Sequence, residues 1–557
     1  MNATQQIVAA EGSDTVSLYS ELSTRYENCS LFAENCRKIL EGLKSLEPVA
    51  HQYDLNEQHA ANGFRSFLKL LHKFATLVMK QSDSNRKHDI DANFIQMSNV
   101  LLRALELIIK FRSEKLISES GHISGIEIIT TAFHLEEELK AMNGKNRNFW
   151  LCASMRRALN HYINLIVMMS NPASSLFKMF NGEFKAKVFT DFSLNTSSNF
   201  VKKLWSLSEM SVYKTLLPLV LYKLKPRIVK TLFIPRKSIL VIDGVTSELK
   251  LQNEQELSAG KSIRCRFLQE QQFGSSPNNS LVIHCHGAGF LCQSPDSHEV
   301  YLKDWASKLS GVPILSVDYS LSPESKYPTA LQDVLDVYLF VTSKSEKVKQ
   351  MIGFLPENII LCGDSAGGVL VIALTFVLND ARRLMEIMMP SNLIAFYPVG
   401  LLRINPSPSR MFILFDTFLT VGVILSIVDA YLRTVEYESD NQAKALEKDP
   451  SKSVWYRKDI FEKRLTEIDE IAKHPYVSPL LYTDYDSLKE IGLTIIVGEF
   501  DPFLDDCVEM ARKWKGPVKF DVLQDLSHGF LYFRAVSKEA RQACNLSLQR
   551  ITESTQP

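Results

Sequence analysis

The sequence predicts an α/β chain: a mostly parallel sheet with an inserted helical cap, preceded by an all-α domain. Three observations predict it. Apolar residues recur at helical spacing through roughly the first 225 residues. From Leu281 onward, β-rich runs alternate with helical ones, as expected of a parallel sheet covered on both faces. The alternation is interrupted once, from about 400 to 475, by an apolar run followed by a charged one.

Each element has its own justification. Phe64, Phe67, Leu68, Leu71, Phe74, Ala75 and Val78 follow the i, i+3, i+4, i+7 spacing of one helix face, and Leu101, Leu105, Ile108 and Ile109 repeat it. No repeat period and no metal spacing is seen there, so residues 1–235 read as a helical domain packing its own core. KPRIVKTLFIPRKSILVIDG then brings β-rich runs broken by proline, and QQFGSSPNNS is a loop by composition. The boundary is placed near Lys237, giving a second domain of 236–557. In that domain LVIHCH, VPILSVDY, ENIILCG, NLIAFYP, LTIIVGEFD and VKFDVLQD read as strands. HEVYLKDWASKL, TALQDVLDVYLFVTS, AGGVLVIALTFVL and FLDDCVEMARKW read as helices. The interruption, which ends in the charged stretch Glu436–Arg464, reads as a cap over the sheet edge where ligands sit.

Composition narrows the function classes. Lys plus Arg and Asp plus Glu both number 63 in 557 residues, so the chain lacks the basic balance of a nucleic-acid binder. Nine scattered cysteines with no CxxC pair argue for a reducing compartment. The N-terminus MNATQQIVAAEGSD shows no basic region leading into an apolar one, so no signal peptide is expected. Met411–Val428 is the most membrane-like run, but its uncharged part, Thr417–Val428, has only 12 residues where a span needs roughly 20. It reads as a buried or surface-inserting helix, and no transmembrane span is expected.

The chemistry gathers at three strand ends. Gly363-Asp364-Ser365-Ala366-Gly367 fits G-x-S-x-G between a strand and a helix. In that context the serine sits on a strained turn, and side chains two positions either side would collide with neighbouring backbone. A serine hydroxyl needs a base, and the base needs an orienting carboxylate. Asp501 follows LTIIVGEF and His528 follows the last strand, in the order this motif requires. Asp501 also reads as a cap before PFLDD; Asp505 and Asp506 compete with it but fall inside the helix. His528 alone of twelve histidines follows a late strand and precedes a glycine. His286-Gly287-Ala288-Gly289-Phe290, together with the N–H of Ala366, could bind the negative oxygen of a tetrahedral intermediate. His284-Cys285-His286 suggests zinc, but no third ligand lies at a characteristic spacing, so neither metal nor cofactor is expected.

HGAGF, SVDYSLSPESKYPTAL, GDSAGG, EFDPFLDDCVEMARKW and LSHGF resemble the hormone-sensitive lipase family of α/β-hydrolases. SHEVYLKDWASKL, NPSPSRMFILFDTFL, ANGFRSFLKLLHKF and KKLWSLSEMSVY extend the resemblance over most of the chain. It implies an α/β-hydrolase fold and a neutral lipid hydrolase of diacylglycerol, triacylglycerol, cholesteryl or retinyl esters. Carried over position by position, Ser365 is the nucleophile, Asp501 the orienting acid and His528 the general base. Ala288, Gly289 and Ala366 match the oxyanion donors, with Gly287 beside them; Gly363, Asp364 and Gly367 complete the nucleophile elbow.

Two departures stand out. The family's usual HGGG is HGAG here, placing a methyl at Ala288 where the substrate passes. Mammalian members carry a long phosphorylated insert before the acid strand, whereas Glu436–His474 is short and holds no Arg-Arg-x-Ser, so control of that kind is not expected. The N-terminal half is expected to dock to a lipid-droplet surface, to a fatty-acid-binding or droplet-coat protein, or to a second copy in a homodimer. A chain without residues 1–235 is then expected to keep its turnover of a soluble short ester. The setting expected is cytoplasmic, peripheral to droplets or membranes. A short-chain carboxylesterase and a catalytically silent receptor or scaffold remain as alternatives.

Overall fold

The computed structural model describes residues 3–84, 90, 92–110, 198–209, 228–252, 261–270, 273–403, 405, 407–416, 419–432, 468, 470–534 and 537–556. The expected helical stretches between 111 and 197, Thr417, Phe418 and the charged run Glu436–Arg464 lie outside them.

Four helices open the chain: α1 (Ala3–Arg25), α2 (Ser30–Ala50), α3 (Gly63–Ser84) and α4 (Ala92–Lys110). Their core is the predicted face. Phe64, Phe67, Leu71, Phe74, Ala75 and Val78 are buried, as are Leu101, Leu105 and Ile108, while Leu68 and Ile109 pack at the margin. A short helix, α5 (Ser198–Trp205), follows.

The second half is an α/β-hydrolase fold. Eight of its strands form one sheet: β1 (Ile228–Ile234), β4 (Ile263–Gln269), β5 (Ser280–Cys285), β6 (Ile314–Val317), β7 (Asn358–Asp364), β8 (Asn392–Phe396), β9 (Gly492–Gly498) and β10 (Val518–Leu523). Their spatial order is β1-β4-β6-β5-β7-β8-β9-β10, and β2 (Leu240–Ile242) with β3 (Leu249–Leu251) forms a separate antiparallel ladder. All pairs from β6 to β10 are parallel; β1 and β4 add an antiparallel edge. Between the strands run α6 (Pro295–Ala306), α7 (Thr329–Thr342), α8 (Glu346–Ile352) and α9 (Ala366–Ala381). α9 is buried almost throughout, which is why AGGVLVIALTFVL has no polar face.

Three expectations shift. β1 belongs to the sheet, so the sheet begins upstream of the division at 235/236; the proline that suggested a boundary, Pro235, only ends an edge strand. β4 was not expected, although Ile263, Cys265 and Phe267 alternate with Arg264 and Arg266. The run Met411–Val428 is not one helix. Ser409–Leu414 forms a 3₁₀ turn, and α10 (Val421–Leu432) starts afresh after Asp416, whose carboxylate accepts the Leu419 N–H at 2.9 Å. Most of the run is buried, which favours the buried reading. Two helices complete the chain, α11 (Leu504–Lys513) and α12 (Lys538–Thr555). Among the described residues no helix is long and apolar enough to cross a membrane.

Candidate active site

Ser365 sits where β7 turns into α9, with φ 53° and ψ −117°. That conformation is strained for a side-chain-bearing residue, and it is held by the Ser365 N–H donating to the Phe396 carbonyl at 2.9 Å. Gly363 and Gly367 are required by close approach. A Cβ on Gly363 would lie 2.4 Å from the Gly367 carbonyl oxygen, and one on Gly367 would lie 2.0 Å from that of Cys285. The two glycines let β5, β7 and α9 converge tightly enough to leave the serine at the apex.

The loops after β9 and β10 bring the other two residues to it. Nε2 of His528 is 2.8 Å from Oγ of Ser365, and Nδ1 is 3.0 Å from Oδ2 of Asp501. Asp501 is fully buried, and its other oxygen accepts the Phe503 N–H at 2.9 Å. One oxygen of Asp501 thus faces the imidazole and the other the turn that leads into the following helix. With Nδ1–H held by the carboxylate, Nε2 is left to accept the serine O–H. The His528 ring meets those of Tyr397 and Phe503 edge-on at 4.7 and 5.5 Å. The competing carboxylates serve elsewhere. Asp505 accepts the N–H groups of Gly63 and Ser409, each at 2.7 Å, and Asp506 pairs with Arg410 at 2.7 Å, anchoring the start of the cap.

The loop after β5 runs through left-handed backbone: φ is +75° at Ala288, +64° at Gly289 and +60° at Phe290. Alanine thus occupies a position that suits glycine better. Gly287, expected among the oxyanion positions, commits its N–H to Nε2 of His298 at 3.2 Å; its role in the loop is support. Its α-carbon lies against Asp364, whose carboxylate a Cβ would meet at 2.5 Å. Tyr319 donates to the His286 carbonyl at 2.7 Å, and Tyr301 donates to Asp364 at 2.9 Å. Burial alone would raise the Asp364 carboxyl, but the His298 and His284 imidazoles hold it well below the usual carboxylate range. This buried layer beneath the loop carried no local sequence signal beyond Asp364 itself. Among the described residues no group of three or more His, Cys, Asp or Glu side chains could hold a metal ion.

Burial also pushes the imidazoles of His284 and His286 below their ordinary value. In the unfolded chain they titrate near 6.5. Stability that is complete above that pH is lost as pH falls through it, by up to about 1 kcal/mol per histidine at pH 6. Asp505, raised by burial to about 6, acts in the opposite sense, but chiefly below that pH. The Tm should therefore be lower at pH 6.0 than at pH 7.5; an unchanged Tm would mean that these histidines are not buried neutral.

Comparison with known proteins agrees with this architecture. Residues 282–532 match the family model described as the alpha/beta hydrolase fold, and residues 8–101 match that of the hormone-sensitive lipase N-terminus. The chain is thus similar to the hormone-sensitive lipase family of α/β-hydrolases at both ends of the matched region. It is 29% identical over 471 residues to the hormone-sensitive lipase of Mus musculus, covering 72% of this chain and 59% of that one. An esterase of Acinetobacter venetianus is 27% identical over 267 residues, 47% of this chain and 71% of its own. A thermostable carboxylesterase cloned from a metagenomic library, solved as a crystal structure, overlaps 65% of this chain and 99% of its own at 22% identity, with a TM-score of 0.47. The chain thus spans about three fifths of the length of the mouse protein.

Sequence reasoning missed one further feature of the site. Val201 and Trp205 of α5, Leu291 and Cys292 of the loop after β5, Phe503, and Leu419, Val423, Ile427 and Ala430 of the cap form a second apolar cluster. Ala288 packs against it. Its members come from four distant parts of the chain, so no local periodicity could announce it.

Proposed function

We propose that this chain is a serine ester hydrolase of neutral acylglycerols, diacylglycerol and triacylglycerol above all, with cholesteryl and retinyl esters as further substrates. The supporting observation is the hydrogen-bonded line Ser365–His528–Asp501 lying beside an apolar cluster that includes Ala288 and Phe503. In this reading Oγ of Ser365 attacks the ester carbonyl while Nε2 of His528 takes its proton. Asp501 holds the ring and stabilises the imidazolium. The N–H groups of Ala288, Gly289 and Ala366 receive the oxyanion, each such donor contributing roughly 3 kcal/mol. The alcohol leaves with the proton from His528, and water, activated by the same imidazole, releases the acyl group from the serine. The cluster around α5 and α10 receives the acyl chain, because apolar surface there gains by excluding water.

The eight described cysteines are all unpaired, which fits a reducing, cytoplasmic setting. Docking to a droplet surface, to a fatty-acid-binding or droplet-coat protein, or to a second copy remains part of the proposal for the N-terminal half.

The test compares p-nitrophenyl butyrate, emulsified diacylglycerol and a serine-directed fluorophosphonate probe on the wild-type chain. Labelling at Ser365 and turnover of both esters are expected. Labelling with turnover of the short ester alone would make the protein a short-chain carboxylesterase. Neither labelling nor turnover would make it a silent binding protein.

A further inference from the structure

Helix α3 belongs to the N-terminal region, yet it touches both loops that carry the acid–base pair. Its first residue, Gly63, donates its N–H to Asp505 at the start of α11, just beyond the Asp501 loop. Further along, Nζ of Lys69 donates to both oxygens of Glu499, at 2.8 and 3.0 Å. Glu499 lies two residues before Asp501. One turn on, Lys73 pairs with Asp525, three residues before His528, and its ammonium stands 4.5 Å from the centroid of the Phe500 ring. Residues four apart share a helix face, so the two lysines are aimed together.

The loops they meet are already tied to each other. The Phe500 N–H donates to the Leu526 carbonyl at 2.9 Å, and the Asp525 N–H donates to Glu499 at 3.1 Å. Glu499 therefore joins Lys69 to the His528 loop as well as to its own. Asp525 has φ +58°, a left-handed turn conformation that aspartate adopts more readily than most residues. Phe500, fully buried, packs edge-on against Phe412 of the cap at 5.7 Å.

We propose that α3 is a strut for the acid–base pair, and that Lys69 and Lys73 are positioning residues for Asp501 and His528. This rests on the reading of Ser365, His528 and Asp501 as the reacting trio. The Lys73–Asp525 pair, half exposed, adds little to stability. The weight of both pairs lies in geometry, because displacing a reacting group by about 1 Å can cost on the order of 100-fold in rate. It follows that removing residues 1–235 lowers turnover even of a soluble ester, contrary to the expectation drawn from sequence.

The test uses the full chain and p-nitrophenyl butyrate. The double variant Lys69→Met/Lys73→Met should lower kcat about 10- to 100-fold, with KM within about twofold of wild type. The rate of fluorophosphonate labelling should fall by a similar factor, since it reports the reactivity of Ser365 without a substrate pocket. Lys69→Arg/Lys73→Arg should restore most of both. A folded double variant with wild-type kcat and labelling rate would overturn the proposal. Should the lysine variants fail to fold, Glu499→Gln and Asp525→Asn test the same bridges from the other side: lowered kcat supports the strut, and wild-type kcat overturns it. Ser365→Ala keeps the underlying reading separate, because hydrolysis surviving that change would remove the trio itself.

Discussion

Ser365→Ala should abolish ester hydrolysis while leaving the fold in place. The fall in kcat is expected at about 10⁴- to 10⁶-fold, because a nucleophile, its base and the base's carboxylate act as a unit. What survives would come from the oxyanion groups and from substrate binding. The fold should hardly notice. The serine side chain makes one described hydrogen bond, to His528, and losing it costs about 1 kcal/mol. Alanine tolerates φ 53° no worse than serine does. Steady-state kinetics beside a thermal melt decides the matter. A variant with wild-type melting and wild-type turnover would exclude Ser365 as nucleophile; one that no longer folds would show that the hydroxyl also has a structural role.

Gly367→Ala is the second large effect, and it falls on the fold. The new methyl would lie 2.0 Å from the Cys285 carbonyl oxygen and 2.6 Å from that of His286. Both obstacles are backbone at the end of β5, so no side chain can swing away. Either α9 or the loop after β5 must move, and overpacking that cannot relax through rotamers typically costs about 3 kcal/mol or more. For a domain of this size the Tm should drop by roughly 4–5 °C. Activity should fall further than stability, because the same shift displaces both Ser365 and the loop bearing Ala288 and Gly289. Melting and turnover equal to wild type would mean that the three elements are less tightly joined than they stand here.

The parts of this molecule legible in the sequence are those with a local cause. The two glycines around Ser365, the strand ends before Asp501 and His528, and the apolar face of α3 each follow from spacing over a few residues. β4 had a local cause too, but its two arginines obscured it. Arg264 and Arg266 alternate with the buried side because they pair with Asp296, Asp318 and Glu299. The remainder depends on distant partners. Lys69 and Glu499 are separated by 430 residues, and nothing near either announces the other. His298 looks like any helix histidine until Gly287 and Tyr532 are seen against it. The apolar cluster beside the site draws single residues from four segments, so each reads alone as ordinary core.

Asp501 has one oxygen on His528 and the other on the Phe503 N–H. Its retention in a descendant of this chain is thus over-determined. A copy that drifted out of catalysis would still need the carboxylate to shape the turn into α11. Of the three residues, the aspartate is the poorest witness to activity. Ser365 and His528, whose side chains make no hydrogen bond outside the trio among the described residues, are where a silenced gene would first show its history.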